Sequence, residues 1–429
     1  MKRASLLLSA VCGVLALASC ESASDSQPAL GTAGAAGAGQ PETAGGGALA
    51  GASGSSSGGR AGAAGNASQA GFAGVALGAG TAGSGAPGSA GSAGSASEDC
   101  DAASVGDLEV YLRSNWDPLG YPPYAFDGCT LVYVAAGSEP GALRLRNLAT
   151  REDTVLEPAA SKPRRPAVSG SVIAWEADGA QGSEVRVRVG DQVQTMSGAF
   201  VRAEEPRVTG DAVVFTAFLG PGQDDDSDVY LFHVPSGQLS AVASGAGQQR
   251  FADVSPTHVA FSDFSEDPHG YFDEAGSLSD IALIERATGS RSNRVLPGKQ
   301  AFPLLGADNV FAYLEWGAVH PEPKLGQFWL KVGYLNRPVS EDFNVKTTGQ
   351  VATDPAYVRP SLRGLKLDFV DQGLDGVALY RAALDAPGTL VSFKVAGSPR
   401  LFGPVAGDRF TLLANQRAGQ TISLLAVPR

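Results

Sequence analysis

Along most of this chain apolar and polar positions alternate in short runs, and each run follows a glycine or proline turn. One phrase returns seven times: a Gly (once a Pro), then alternating apolar residues ending on an aromatic or large aliphatic side chain. It reads FDGCTLVY at Gly128, VSGSVIAW at Gly170, VTGDAVVF at Gly210 and VSPTHVAF at Pro256, then LLGADNVF at Gly306, LRGLKLDF at Gly364 and VAGDRFTL at Gly407. The intervals are 42, 40, 46, 50, 58 and 43 residues. A period of two puts successive apolar side chains on one face of a strand. A strand unit recurring every forty to fifty residues is the signature of a β-propeller blade. The pattern predicts an all-β chain, a seven-bladed β-propeller of four-stranded antiparallel blades. The long, irregular fifth repeat keeps six or eight blades open as alternatives.

Individual strands follow from the turns. Blade three divides into 205–209, 212–218, 228–234 and 238–242, with turns at Thr209-Gly210-Asp211 and Pro235-Ser236-Gly237. Blade four gives 258–263, 280–286 and 294–296, and blade two gives 172–176, 184–189 and 192–196. Val213 with Phe215, and Val259 with Phe261, sit two apart and are expected to pack on a neighbouring blade. After Gly407 only two further strands fit, 409–415 and 421–427, so the last blade lacks its outer strand. The strand-like segment 107–113 is expected to pair with that blade and close the ring, because an open blade leaves an unpaired edge.

The N-terminal quarter reads differently. Met1-Lys2-Arg3 precedes an apolar run over 6–17 that is too short to cross a bilayer, and the run ends in Leu17-Ala18-Ser19-Cys20. This resembles a bacterial lipobox, which implies a signal peptide over 1–19, cleavage before Cys20 and acylation of Cys20. Glu21, rather than Asp, after the lipidated position leans toward the outer membrane, on its periplasmic side or at the cell surface. Residues 29–97 are almost entirely Gly, Ala and Ser, with one Arg (Arg60), one Glu (Glu42) and one Phe (Phe72). Such a stretch cannot offset its conformational entropy by burial, and its r.m.s. span would be about 45 Å; 20–99 is expected to be the lipidated Cys20 and a disordered tether. The propeller is expected over 100–429.

The full chain carries a net charge of −12, and the expected propeller holds 29 basic against 39 acidic residues. That sign repels phosphate backbones, which argues against a nucleic-acid partner. Cys12 leaves with the signal and Cys20 is the lipid site. Cys100 and Cys129 remain as the only pair in an exported domain and are expected to form a disulfide, with two free thiols or a metal site as alternatives.

Val254-Ser255-Pro256 ahead of Val259-Ala260-Phe261, with Asp228-Val229-Tyr230 and Asp280-Ile281-Ala282 in a later strand, resembles the TolB-like, WD40-like propeller repeat. In that family a blade opens on Ser-Pro-Asp-Gly, continues as Ile-Ala-Phe and then as Asp-Ile-Tyr. The resemblance covers roughly 104–429. Most blades here carry a bare Gly in place of Ser-Pro-Asp-Gly, and seven blades departs from the six of TolB itself. The resemblance implies the fold and carries no Tol-complex role.

Candidate chemistry gathers in loops. Asp224, Asp226 and Asp228 alternate in the densest acidic run and could offer oxygens to calcium; an acidic hairpin whose last Asp, like Asp280, fixes the start of a strand is the alternative. Blade four holds Asp263, Glu266, Asp267, His269, Asp273 and Glu274, either a metal or acid–base cluster or a hydrated loop. His320-Pro321-Glu322-Pro323 reads as a rigid exposed loop. The aromatic, proline-rich stretch from Asn115-Trp116 to Tyr124 either packs the crossing between blades or offers a surface to a peptide or glycan. No G-x-S-x-G, H-E-x-x-H or phosphate-cradling glycine loop occurs. The sequence therefore points to an envelope lipoprotein whose propeller binds or scaffolds without catalysis. Its partners would be the membrane, through acyl chains on Cys20, and an envelope protein or glycan. A glycan-active hydrolase or lyase using channel carboxylates, and a surface adhesion protein, are the alternatives.

Overall fold

The computed structural model describes residues 100–111, 121–136, 141–222, 225–267, 270, 278–317, 328–346, 359–373, 376–386, 388–394, 400–416 and 422–429. The signal segment, Cys20 and the tether lie outside the described residues. So do Trp116, Asp224, His269, Asp273, Glu274, His320 and Glu322.

Seven antiparallel sheets follow one another in chain order, six of four strands and a last one of three. In each, the strands lie side by side in the order in which the chain makes them. Blade two shows why. Its inner strand Arg164–Ser169 turns at Gly170 into Val172–Asp178, which pairs with Ser183–Val189 and then Gln192–Thr195. Gly170 takes φ 56°, which a glycine adopts without steric cost. The second strand is buried on both faces through Ala177, whereas the outermost strand is exposed at every position. A second strand lies between two neighbouring sheets, and an outer strand faces water.

The predicted face-to-face contacts are present. Val213 and Phe215 of blade three pack on Val172, Ala174, Val185 and Val187 of blade two. Val259 and Phe261 of blade four pack on Ala212, Val214 and Val229 of blade three. Each large side chain buried this way contributes roughly 1.5–3 kcal/mol.

Blade three matches the strands read from its turns, except that its inner strand starts earlier, at Arg202. Blade four differs at its outer strand, which runs Arg291–Arg294 rather than 294–296. Gly289, at φ 70°, closes a tight turn, and Arg291 is already back in register opposite Ile284.

The ring closes through the N-terminal segment. Glu109 bridges Ser423 of the three-stranded blade, with Val110 N donating to Ile422 O at 3.0 Å and Leu424 N to Leu108 O at 2.8 Å. The same segment is held from its other side by blade one: Tyr111 N donates to Val134 O at 3.0 Å. Among the described residues the pairing is a few backbone bonds, residues 112–113 of the expected segment lying outside them, and side chains complete the seal. Val105 and Val110 join Phe126 of blade one and Phe410 and Leu412 of blade seven in one cluster. Phe126 and Phe410 stack at 4.9 Å. Cys100 and Cys129 form the disulfide, with Cα atoms 5.6 Å apart, fixing the start of the domain to the first turn of blade one.

Candidate functional site

Strand order alone collects the loop candidates. In every blade the inner strand begins at the end where the second strand finishes and the third begins, so the blade-to-blade connections and the second-to-third connections share one face. Long ones leave from Phe218, Asp263, Gly317 and Asn344. The acidic run of blade three, the charged insertion of blade four and the proline loop of blade five therefore all connect strands at this face. The opposite face carries the short turns, tied by ion pairs: Arg363 to Asp127 and Asp408, and Arg286 to Asp211.

At the axis of the long-loop face the inner strands share a local distortion. Five of them slip register at a bulge, and in each the bulge carries a residue of positive φ. These are Arg165 (49°), Glu205 (62°), Phe251 (58°), Phe302 (60°) and Gly403 (44°). Four of the five lack the glycine that such a conformation favours, at a cost of order 1–3 kcal/mol each. A bulge frees an amide from the ladder, and a side chain of the preceding blade accepts it. Glu205 Oε2 takes Phe251 N at 3.2 Å, and Ser262 Oγ takes Phe302 N at 3.1 Å. The distortion stitches one blade to the next and presents its residues to the axis.

What they build is an ion-paired aromatic plug. Tyr121 is buried, with Arg165 of blade two, Arg207 of blade three and Arg359 ahead of blade six at 5.2, 4.8 and 3.7 Å from its ring. Only a group near the axis can meet all three. Arg359 also lies 4.2 Å from the Phe302 ring, and Phe251 packs on Phe302 at 4.4 Å. Each guanidinium over a ring face is attracted by the ring quadrupole. The crossing segment thus packs the axis at Tyr121, and Tyr124 is buried too, its hydroxyl donating to Gly403 O at 2.6 Å.

Carboxylates line the same end, already engaged. Glu176 accepts from Arg164 at 2.5 Å and Arg165 at 2.8 Å; Glu204 from Arg202 at 2.5 Å and Arg165 at 3.2 Å; Glu205 from Arg250 at 2.5 Å. Burial alone would raise the Glu204 carboxyl, but Arg165, Arg202 and Arg250 outweigh it and hold the group at about 2. A carboxyl held below its unfolded value stabilises the fold above that value and loses the contribution as pH falls. Stability is therefore expected to drop between about pH 4.5 and pH 2, with Glu204→Gln flattening that part of a urea-midpoint profile. An unchanged slope in the variant would remove Glu204 from the account. Burial pushes the Tyr121 phenol up to about 12, against the lowering effect of its three arginines.

The acids singled out in the sequence divide. Asp226 Oδ1 accepts from Gly247 N at 3.0 Å. Asp228 is buried, its carboxyl raised by burial, and accepts a backbone hydrogen bond from Gly245. Asp280 repeats this in blade four with Leu296, as the shared spacing predicts. Asp224 lies outside the described residues, so the proposed calcium set is seen only in part. In blade four, Asp263 pairs with Arg291, and Asp267 accepts from Gly270 N at 3.1 Å and Leu278 N at 2.6 Å; Glu266 is exposed. Among the described residues no group of three or more His, Cys, Asp or Glu is placed to hold a metal ion. The axial arginines were not read from the sequence. A signal exists: Arg165-Pro166, Glu205-Pro206 and Arg359-Pro360 each stand five residues before the blade glycine.

No protein-family model matches the chain, and no curated protein does. Solved structures do. The β-propeller domain of the Trilobed protease from Pyrococcus furiosus matches with a TM-score of 0.53 and 13% identity, over 71% of this chain and 93% of that one. The likeness is one of fold. Acylaminoacyl peptidase of Pyrococcus horikoshii matches at 0.51 and 11% identity, over 73% of this chain but 52% of the peptidase, so this chain spans about half of that enzyme. TolB from Acinetobacter baumannii matches at 0.40 and 14% identity, over 60% of this chain and 62% of that one. The Trilobed protease propeller is described as having an open velcro topology, whereas here residues 108–110 bridge blade seven to blade one.

Proposed function

We propose that this protein is a lipid-anchored envelope protein whose propeller is a non-catalytic binding or scaffold module, with its contact surface on the face of long connections. The observation that carries this reading is that the axial glutamates are already ion-paired. A glycan hydrolase needs two carboxyls roughly 5–10 Å apart on one pocket, one of them able to give up a proton. Glu204, held at about 2, has no proton to give near neutral pH. Glu205 is fully enclosed by Arg250, Thr216 and the Phe251 amide. The Cys100–Cys129 disulfide suits an oxidising compartment outside the cytoplasm, and the lipobox-like Cys20 supplies the attachment.

Fractionation and proximity labelling on intact envelopes test the two halves. The Cys20→Ala protein is expected in the soluble fraction, and its retention in membranes would refute acylation. Labelling from the full-length protein is expected to recover a recurrent envelope neighbour. Turnover of glycan polymers by the purified protein would replace the binding reading with the enzymatic one.

A further inference from the structure

Two groups at the axis, the Tyr121 hydroxyl and the Arg207 guanidinium, bear on what the axis can hold once the ion pairs are assigned. The Tyr121 hydroxyl is buried and has no hydrogen-bond partner among the described residues, although three guanidiniums lie over the ring that carries it. Arg207, half-buried beside the Tyr121 ring, forms no salt bridge among the described residues, while Arg165, Arg202 and Arg250 each have one or more. Asp253, on the neighbouring inner strand, acts on Arg207 only at longer range, and its Oδ2 accepts from Leu305 N at 2.7 Å. The site thus presents a buried hydroxyl without an acceptor next to a guanidinium that forms no salt bridge among the described residues. A buried phenol left this way costs about 1–3 kcal/mol, and a planar guanidinium is the side chain best matched to a carboxylate.

We infer that the propeller axis holds a carboxylate, gripped by the Arg207 guanidinium and by the Tyr121 hydroxyl. One oxygen accepts the phenol's hydrogen bond, and the fork of Arg207 takes the remaining lone pairs. The four residues already paired, Arg165, Arg202, Glu204 and Glu205, keep the surrounding wall fixed. Because the chain as a whole is strongly acidic, with net charge −12, recognition of an anion here must be local rather than long-range. The inference deepens the binding-module reading and rests on it, naming the chemistry of the group that is bound. That group is the free end of a peptide or a small organic acid.

The experiment follows the arginine Nε–Hε signals of the full-length protein during titration with acetate, with trialanine and with trialanine amide, at matched chloride. Acetate or trialanine is expected to move one signal that is missing from Arg207→Gln, and both Arg207→Gln and Tyr121→Phe are expected to bind about tenfold more weakly or worse. Tyr121→Phe keeps the ring and its packing, so it tests the hydroxyl even if the arginine variant folds poorly. Tighter binding of trialanine than of acetate marks a peptide end, and equal binding marks a small acid; either supports the site. No shift at tens of millimolar, an equal shift with the amide, or full binding by both variants would overturn it. Failure to label an envelope neighbour would sink the scaffold reading while leaving a carboxylate shift intact, so the two outcomes separate.

Discussion

Glu205→Ala is expected to cost about 3–5 kcal/mol of stability, the largest effect of any single substitution at the axis. The carboxylate has no solvent exposure. Its Oε1 accepts from Arg250 at 2.5 Å, and its Oε2 accepts from Thr216 Oγ1 at 2.8 Å and from Phe251 N at 3.2 Å. Removing it strands the Arg250 guanidinium between the rings of Phe218 and Phe251, each 4.9 Å away, and leaves the bulge amide of blade four without an acceptor. Glu205→Gln keeps the shape and loses only the charge, so it is expected to cost less, about 1–3 kcal/mol. Urea midpoints at constant slope read both. A loss below about 1 kcal/mol for the alanine variant would show that the surrounding arginines find other partners.

The second large effect lies at the seam. Replacing Cys100 and Cys129 together by serine releases a loop with a sequence separation of 29. On the chain-entropy model that costs roughly 3–4 kcal/mol. The loss should appear first as faster amide exchange in the last strand, Ile422–Pro428, because, among the described residues, 108–110 hold that edge through two backbone bonds, at Ile422 and Leu424. Dithiothreitol on the unaltered protein should reproduce the shift. Equal midpoints for the oxidised and serine forms would mean that the apolar seam around Phe126 and Phe410 seals the ring unaided.

The fold was legible because each of its rules is local. Gly or Pro at the first turn, a largely apolar strand after it and a second turn such as Pro235-Ser236-Gly237 fix a blade without reference to anything distant. The seven turn positions from Gly128 to Gly407 therefore placed every blade. Closure was legible for a related reason, since a blade that runs out of chain needs an edge partner and 107–113 was the one strand-like segment unassigned. The site was not legible. It is made where inner strands depart from regular pairing, at Arg165, Glu205, Phe251 and Phe302, and an alternation pattern does not register a bulge. Nor does spacing along the chain show that Arg165, Arg207 and Arg359, from three different blades, converge on Tyr121. The acidic runs attracted notice as clusters of like charge. In the folded chain Asp226, Asp228 and Asp267 each accept from a backbone amide, which composition does not show.

The disulfide also settles how tension would pass through the molecule. A pull on the chain ahead of Cys100 reaches Cys129 before it reaches residues 108–110, and Cys129 sits in the turn that joins Tyr124–Asp127 to Thr130–Val134. The load enters a hairpin at its tip and bypasses the weak stitch on blade seven. With the cysteines reduced, the same pull would run along that stitch and peel it one bond at a time.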